Sequence, residues 1–531
     1  MSRTLFRHDR IWTGDLESPW TDALLVEDGR VVAVGSAAVE ASSASSKGGA
    51  TASVVDLPGA LVMPGLHDAH IHTAWLSRDL SSVDLREARS LEETLDLVRA
   101  HAAGLPEGEW LHSGRWNHNR WAVPVQPDRH ALDTVSEGRV AALASVDGHT
   151  IWANSLALQR AGITRETPDP VGGEIVRDAS GEPTGILRES AQELLDAIPR
   201  EEAPLRPWLE RCQEWLLSVG LTSITDIDGE DARAAYAEMH ADGALRLRVT
   251  KCTRDPDLEV GVAIAEGRRS GQGDAVFRVG PVKFFSDGAL GSHTAHMTEP
   301  FIGHEGCGIA AMPYEVLLER TLLAARSGLD VVTHAIGDEA NRLVLGTFEA
   351  VRAEGLETLL RVEHAQHVLP VDIPRFRALD VVASMQPSHC TADLELADEI
   401  IGSRRLASYA WRSLLDAGVR LAFGSDAPVE DPNPFYGIHA AVTRQRADGH
   451  PIGGWRPDER VTLTEAVHAF TVGAHESVGR TDVGRLVPGQ LADLVAVDRD
   501  LWALEATAPA AIRDTVVLQT WVGGELAHER T

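Results

Sequence analysis

Pro64-Gly65-Leu66-His67-Asp68-Ala69-His70-Ile71-His72 closes an apolar run that begins at Val62 and Met63. Side chains alternate along a strand, so an extended segment here puts Asp68, His70 and His72 on one face and His67 on the other. Two imidazoles at i and i+2 at a strand's end can grip one cation from the same side. That makes His70 and His72 candidate ligands and leaves Asp68 to orient a ligand or satisfy backbone. In a chain with 22 histidines an isolated His-x-His means little. The reading depends on whether the rest of the sequence completes the cluster.

Outward from this strand, the pattern from about residue 220 is one of apolar strands alternating with helical stretches. Candidate strands at 222–227, 245–252, 279–285, 330–334, 361–364, 381–385 and 420–424 join the opening strand at 62–72 to make eight. Helical segments such as 314–327, 339–354 and 403–417 lie between them. This alternation predicts an α/β protein, a (β/α)8 TIM-type barrel over 63–74 and 206–477. One interval is too long: His72 and Thr222 are 150 residues apart, where a βα unit needs roughly 30. The excess predicts an insertion over 75–205. It leaves the C-terminal end of a barrel strand, the face on which barrels carry active sites, so a cap or substrate-binding region is expected. The two ends, 1–62 and 478–531, consist of short apolar runs separated by turns, including Gly523-Gly524. Neither end has enough apolar surface to fold alone. They are expected to pair into one small composite β-sandwich.

The formal net charge of -30 opposes attraction to nucleic-acid phosphates or anionic membranes. No run of about 18 apolar residues is present to span a bilayer, and residues 1–10 lack the apolar core of a signal peptide. Cys212, Cys252, Cys307 and Cys390 are far apart and form no Cys-x-x-Cys, as expected of free thiols in a reducing cytoplasm. The expected partner is a small-molecule substrate, with no nucleic acid and no membrane; assembly into a homo-oligomer stays open.

Ligand-type residues recur where the barrel strands should end: Lys283 on strand four, His334 on five, His364 on six and Asp426 after eight. With His70 and His72 they form a set of imidazoles and carboxylate suited to zinc and similar divalent ions. A lysine repels a cation as the ammonium. Carbamylated by carbon dioxide, Lys283 becomes an anionic oxygen ligand able to bridge two metals. The plainer alternative is a salt bridge from Lys283 to Asp287 or another carboxylate.

The runs 63–72, Gly424-Ser425-Asp426-Ala427-Pro428 and Pro488-Gly489-Gln490-Leu491-Ala492-Asp493-Leu494 resemble the amidohydrolase superfamily of metal-dependent hydrolases. The text of 282–295, with Asp147-Gly148-His149 and Trp152-Ala153-Asn154-Ser155, is similar to amidohydrolase family 3, the branch holding N-substituted formamide deformylase. The resemblance implies that His70, His72 and Asp426 hold one metal, that His334 and His364 hold a second, and that Lys283 bridges them. It further implies a divalent cofactor, zinc before iron or manganese, one or two per chain. The reaction it implies is hydrolysis of an amide-type C–N bond, such as an N-formyl or N-acyl amine. In it Asp426 serves as general base and then acid, and His364 helps to polarise the carbonyl. A cyclic amide, amidine or ester hydrolase is the alternative on the same site, and a catalytically silent binding or assembly protein is the alternative of another class. Where the branch commonly has Arg after Gly-Ser, this chain has His293.

For substrate contact the sequence nominates Trp116, His149, Asn154, Asp287 and His293. Each has a plainer role open to it. Trp110, Trp116, Trp121 and Trp152 together can form the core of a small cap, and His149 and Asn154 can stabilise it.

Overall fold

The computed structural model describes residues 3–43, 52–80, 82–86, 88–105, 108–145, 150–170, 173–198, 204–254, 257–291 and 293–531. Mostly buried runs, apolar in the main but with polar residues inside several, give it eight parallel strands. They are Leu66–Ile71, Leu221–Asp226, Arg248–Arg254, Phe277–Phe285, Val331–Ala335, Leu360–His364, Val381–Met385 and Leu421–Phe423, hydrogen-bonded in that order. Helices follow strands, among them Glu230–Ala241, Tyr314–Arg326 and Asp338–Ala353. The first and last strands meet through their extensions: Asp426 N donates to His70 O at 2.7 Å and His72 N to Ala427 O at 2.9 Å. This is the expected (β/α)8 barrel, nearly closed, with residues 70–72 and 424–427 side by side.

The opening segment differs from the single strand expected over 62–72. Leu61–Pro64 belongs to another sheet, and the chain passes into the barrel at Gly65. A Cβ at Gly65 would collide with the Thr222 side chain, and Gly65 N donates to Asp493 O at 2.9 Å. A glycine therefore lets the backbone cross from one sheet to the next without a turn.

The two chain ends join in one eight-stranded mixed sheet rather than two separate ones. Two of its hairpins close on two-residue turns with both φ positive, Asp28 (47°) and Gly29 (79°), then Gly523 (58°) and Gly524 (75°), which matches the right-handed strand twist. Phe6 and Trp521 lie on strands three places apart, about 14 Å in a flat sheet, yet their rings are 4.9 Å apart. The sheet is thus folded over a shared core that includes Ile11, Leu24, Val62 and Leu494. A buried ion pair ties it to the barrel, Arg248 Nε and Nη2 reaching Asp493 at 2.6 and 2.7 Å.

A second compact unit runs from Ser77 to Trp208, while residues 1–76 and 209–531 make the first. It has its own six-stranded sheet. Alternate residues feed two cores: Trp152 and Ile186 go to one with Trp116 and Leu143, and Ala153 and Leu187 to another with Ile175 and Leu195. Among the described residues no helix is long and apolar enough to cross a membrane.

Candidate metal centre

One ligand atom from each of His70, His364 and Asp426 lies within 4.8 Å of the others, and all three residues are buried. Strand one carries His70, strand six ends on His364, and Asp426 follows strand eight. Asp426 Oδ1 is 3.4 Å from Nε2 of His70 and 3.4 Å from Nε2 of His72. The His334 ring adjoins, its centroid 4.4 Å from that of His364. Five of the six expected ligands therefore converge at the strand ends. Lys283 is fully buried on strand four, and its Nζ has no hydrogen-bond partner. The salt bridge to Asp287 is not formed. Nζ lies over the Phe285 ring, 4.8 Å from its centroid.

Each imidazole is aimed by its other nitrogen. His70 Nδ1 meets Glu363 Oε2 at 2.6 Å, His72 Nδ1 meets Asp228 Oδ1 at 2.9 Å, and His364 Nδ1 meets Gln386 Oε1 at 2.8 Å. Such partners fix a ligand's tautomer and orientation. With Nδ1–H engaged, Nε2 is the nitrogen left to bind a metal, and in His70 and His72 it faces Asp426. For His364 this suits a ligand better than a donor to a carbonyl. His334 is the converse case, its Nε2 lying 3.0 Å from Gly288 O. That leaves Nδ1 as its acceptor.

The charges follow from burial and proximity. Burial brings Lys283 down to about 8 and His70 down to about 4. It also holds His364 well below the usual imidazole range. For His72 burial is outweighed by Asp228 and Asp426, which hold it up to about 9. Burial also opposes the charge on Asp426, but the imidazoles of His70, His72 and His364 keep its carboxyl well below the ordinary range. An ionised carboxylate faced by imidazole nitrogens, beside an unpaired buried amine, is a donor set that fits a divalent cation.

The backbone is strained at the same place. His364 has φ 72° and Asp426 has φ 60°, left-handed conformations that cost a non-glycine residue of order 1–3 kcal/mol. Asp68 holds the second of these, accepting from Ser425 N at 3.0 Å, Ser425 Oγ at 2.5 Å and His70 N at 3.0 Å. His67 faces away, its Nδ1 2.9 Å from His475 Nδ1 and its Nε2 2.9 Å from Thr225 Oγ1.

Of the residues nominated for substrate contact, the four described ones all have contacts within the protein. Both Asp287 oxygens are taken inside the barrel, by Ile336 N at 3.0 Å on one and by Gly337 N at 2.8 Å and His296 N at 2.9 Å on the other. His293 packs against Phe301 and His304, with centroids at 5.2 and 4.2 Å. In the inserted unit Trp116 is core, its ring N–H donating to Leu143 O at 2.8 Å. Asn154 caps the helix Ser155–Arg160 and uses its whole amide: Oδ1 accepts from Ala157 N and Ala141 N, while Nδ2 donates to Ser136 Oγ and Arg139 O. His149 lies outside the described residues.

Sequence reasoning assigned no role to Glu363, Asp228, Gln386 or His389. His389 stands on the helix Pro387–Ile400 with its Nε2 3.7 Å from Asp426 Oδ2 and no hydrogen-bond partner. For Glu363 a signal was present: Arg361 and Glu363 are charged residues of one parity inside an otherwise apolar strand.

With this geometry in view, the sequence profile of the amidohydrolase family matches residues 53–528. The chain is 33% identical to the protein LONG AFTER FAR-RED 3 of Arabidopsis thaliana, covering 98% of this chain and 91% of that one. It is 30% identical to N-substituted formamide deformylase of Arthrobacter pascens, covering 98% and 97%. An uncharacterized metal-dependent hydrolase from Pyrococcus furiosus superposes with a TM-score of 0.74 at 28% identity, over 94% of this chain and 99% of that one.

Proposed function

Because this chain belongs to the amidohydrolase family, we propose that it hydrolyses an amide-type carbon–nitrogen bond of a small molecule, an N-formyl or N-acyl amine, at the His70, His364 and Asp426 centre. The observation that carries the proposal is the convergence of these three buried residues within 4.8 Å, with the imidazoles anchored through Nδ1. The formyl or acyl choice is supported by the 30% identity to N-substituted formamide deformylase over nearly the whole chain.

His70, His72 and Asp426 would hold a divalent metal, zinc first. His334 and His364, with a carbamylated Lys283 shared between the two, would hold a second. When bound, such an ion supplies Lewis acidity and brings the ionisation of water to about pH 7. Asp426, ionised among its imidazoles, accepts a proton from the attacking water and returns it to the departing nitrogen, as base and then acid. The partly neutral amine that burial gives Lys283 is the form that reacts with carbon dioxide. That none of the four cysteines is in a disulfide supports a place in the cytoplasm.

The test is a screen of N-formyl amines, N-acyl amines, cyclic amides and esters with metal-loaded protein and its Asp426→Asn variant. Release of amine from formyl or acyl substrates by the wild type alone is the expected result. Turnover confined to cyclic amides or esters would replace the substrate class, and no hydrolysis by a metal-loaded chain would count against the enzyme reading. A Lys283→Ala arm reads the bridge: two metals per chain falling to one or none supports the carbamate, and an unchanged content removes it.

A further inference from the structure

The partners of His70 and His72 share a feature that hydrogen-bond arithmetic makes consequential. Glu363 accepts from His70 Nδ1 through one oxygen, and its other oxygen is taken by Arg361 Nε. Arg361 has only donors. It is itself pinned, giving Nη1 to Ser477 Oγ at 2.9 Å and Nη2 to Ala69 O at 3.1 Å. Arg361 and Glu363 are both fully buried, so neither can turn to water. Asp228 repeats the arrangement with backbone in place of guanidinium. Its Oδ1 meets His72 Nδ1, and its Oδ2 accepts from Ala74 N at 2.6 Å and Trp75 N at 3.2 Å.

We propose that Glu363 and Asp228 are positioning residues that lock His70 and His72 in the Nδ1–H tautomer, and that Arg361 and the amides of Ala74 and Trp75 set the polarity of the locks. This rests on the reading of His70 and His72 as metal ligands. A carboxylate accepts at both oxygens, so each imidazole must donate from Nδ1, and Nε2 is the nitrogen left to bind a metal. An amide in either place could not keep that polarity. The fixed donors would claim its oxygen, its NH2 would face Nδ1, and the imidazole would have to carry its proton on Nε2, pointed at Asp426. Gln386, the amide that serves His364, has an Nε2 without a hydrogen-bond partner. No fixed donor is recorded on its oxygen, which is free to face the imidazole.

The near-isosteric variants Glu363→Gln and Asp228→Asn should therefore cost more than a lost charge. Zinc binding is titrated against a chelating dye for the wild type, both variants and the double variant Arg361→Gln/Glu363→Gln, with far-ultraviolet circular dichroism of the metal-free proteins as the folding control. The expected result is a loss of about 10- to 100-fold in zinc affinity for each single variant, with helix and strand content kept. In the double variant the amide that replaces the Arg361 guanidinium can accept as well as donate. The amide that replaces the Glu363 carboxylate can then turn its oxygen back to His70, and affinity should recover above that of Glu363→Gln. A merely structural role predicts the reverse, since a second buried group has been altered. Single variants that bind zinc as the wild type does, or a double variant weaker than Glu363→Gln, would overturn the lock. If Glu363→Gln does not fold, Asp228→Asn decides alone. A wild type that binds no zinc removes the metal reading itself, and the lock falls with it.

Discussion

Asn154 in the inserted unit spends all four hydrogen-bonding places of its amide on its own chain, whereas Lys283 Nζ, Gln386 Nε2 and His389 Nε2 at the barrel's strand ends are buried with no partner. The first pattern is that of a polar group used to build a fold, as are Trp116 on Leu143 O and Trp152 on Asp128 O. The second is costly, since a buried unsatisfied polar group loses about 1–3 kcal/mol. Left-handed backbone at His364 and Asp426 adds to that cost at the same strand ends. Lone buried polar atoms occur elsewhere too, Trp121 Nε1 of the inserted unit among them, but at the strand ends they stand beside three converging ligand-type residues, an arrangement that a ligand would satisfy. Trp116 and Asn154 show no such reserve.

The comparison can be broken from either side. Asp426→Asn should have the largest effect, a loss of 10²- to 10⁴-fold in kcat with circular dichroism unchanged; near-normal turnover would remove Asp426 from the chemistry. Glu363→Ala should come next. It strands the Arg361 charge in the barrel interior and should cost about 3–5 kcal/mol, read as a lower urea midpoint of the metal-free protein. Trp116→Ala should cost a similar or smaller amount, about 3–5 kcal/mol from the cavity it leaves, with zinc affinity unaltered. Asn154→Ala should be the mildest, about 0.5–2 kcal/mol for the lost cap. A change in KM without a change in stability would show that Asn154 also serves the substrate, and the contrast between the two regions would fail there.

Much of the barrel was legible because most of its strands are short runs rich in apolar and β-branched residues, with ligand-type residues at or just beyond their ends in several cases, a pattern that survives without tertiary knowledge. His70 and His72 could be read from parity alone. The crossing at Gly65 could not, because the apolar texture continues unchanged from Leu61–Pro64 into Leu66–Ile71 while the hydrogen-bond partners change. The supports of the site were hidden for another reason. His70 and Glu363 are 293 residues apart, and His72 and Asp228 are 156 apart, so no local pattern links them. Trp116 and Asn154 could not be placed from sequence because an aromatic cluster and a lone amide look alike there whether they line a pocket or fill a core.

The account stands most directly on the metal. Elemental analysis of protein purified without chelator, wild type beside His70→Ala, should find one or two equivalents of divalent metal per chain in the first and a clear loss in the second. A wild-type chain that stays free of metal even after zinc is supplied, or a His70→Ala chain that keeps the full amount, would contradict it.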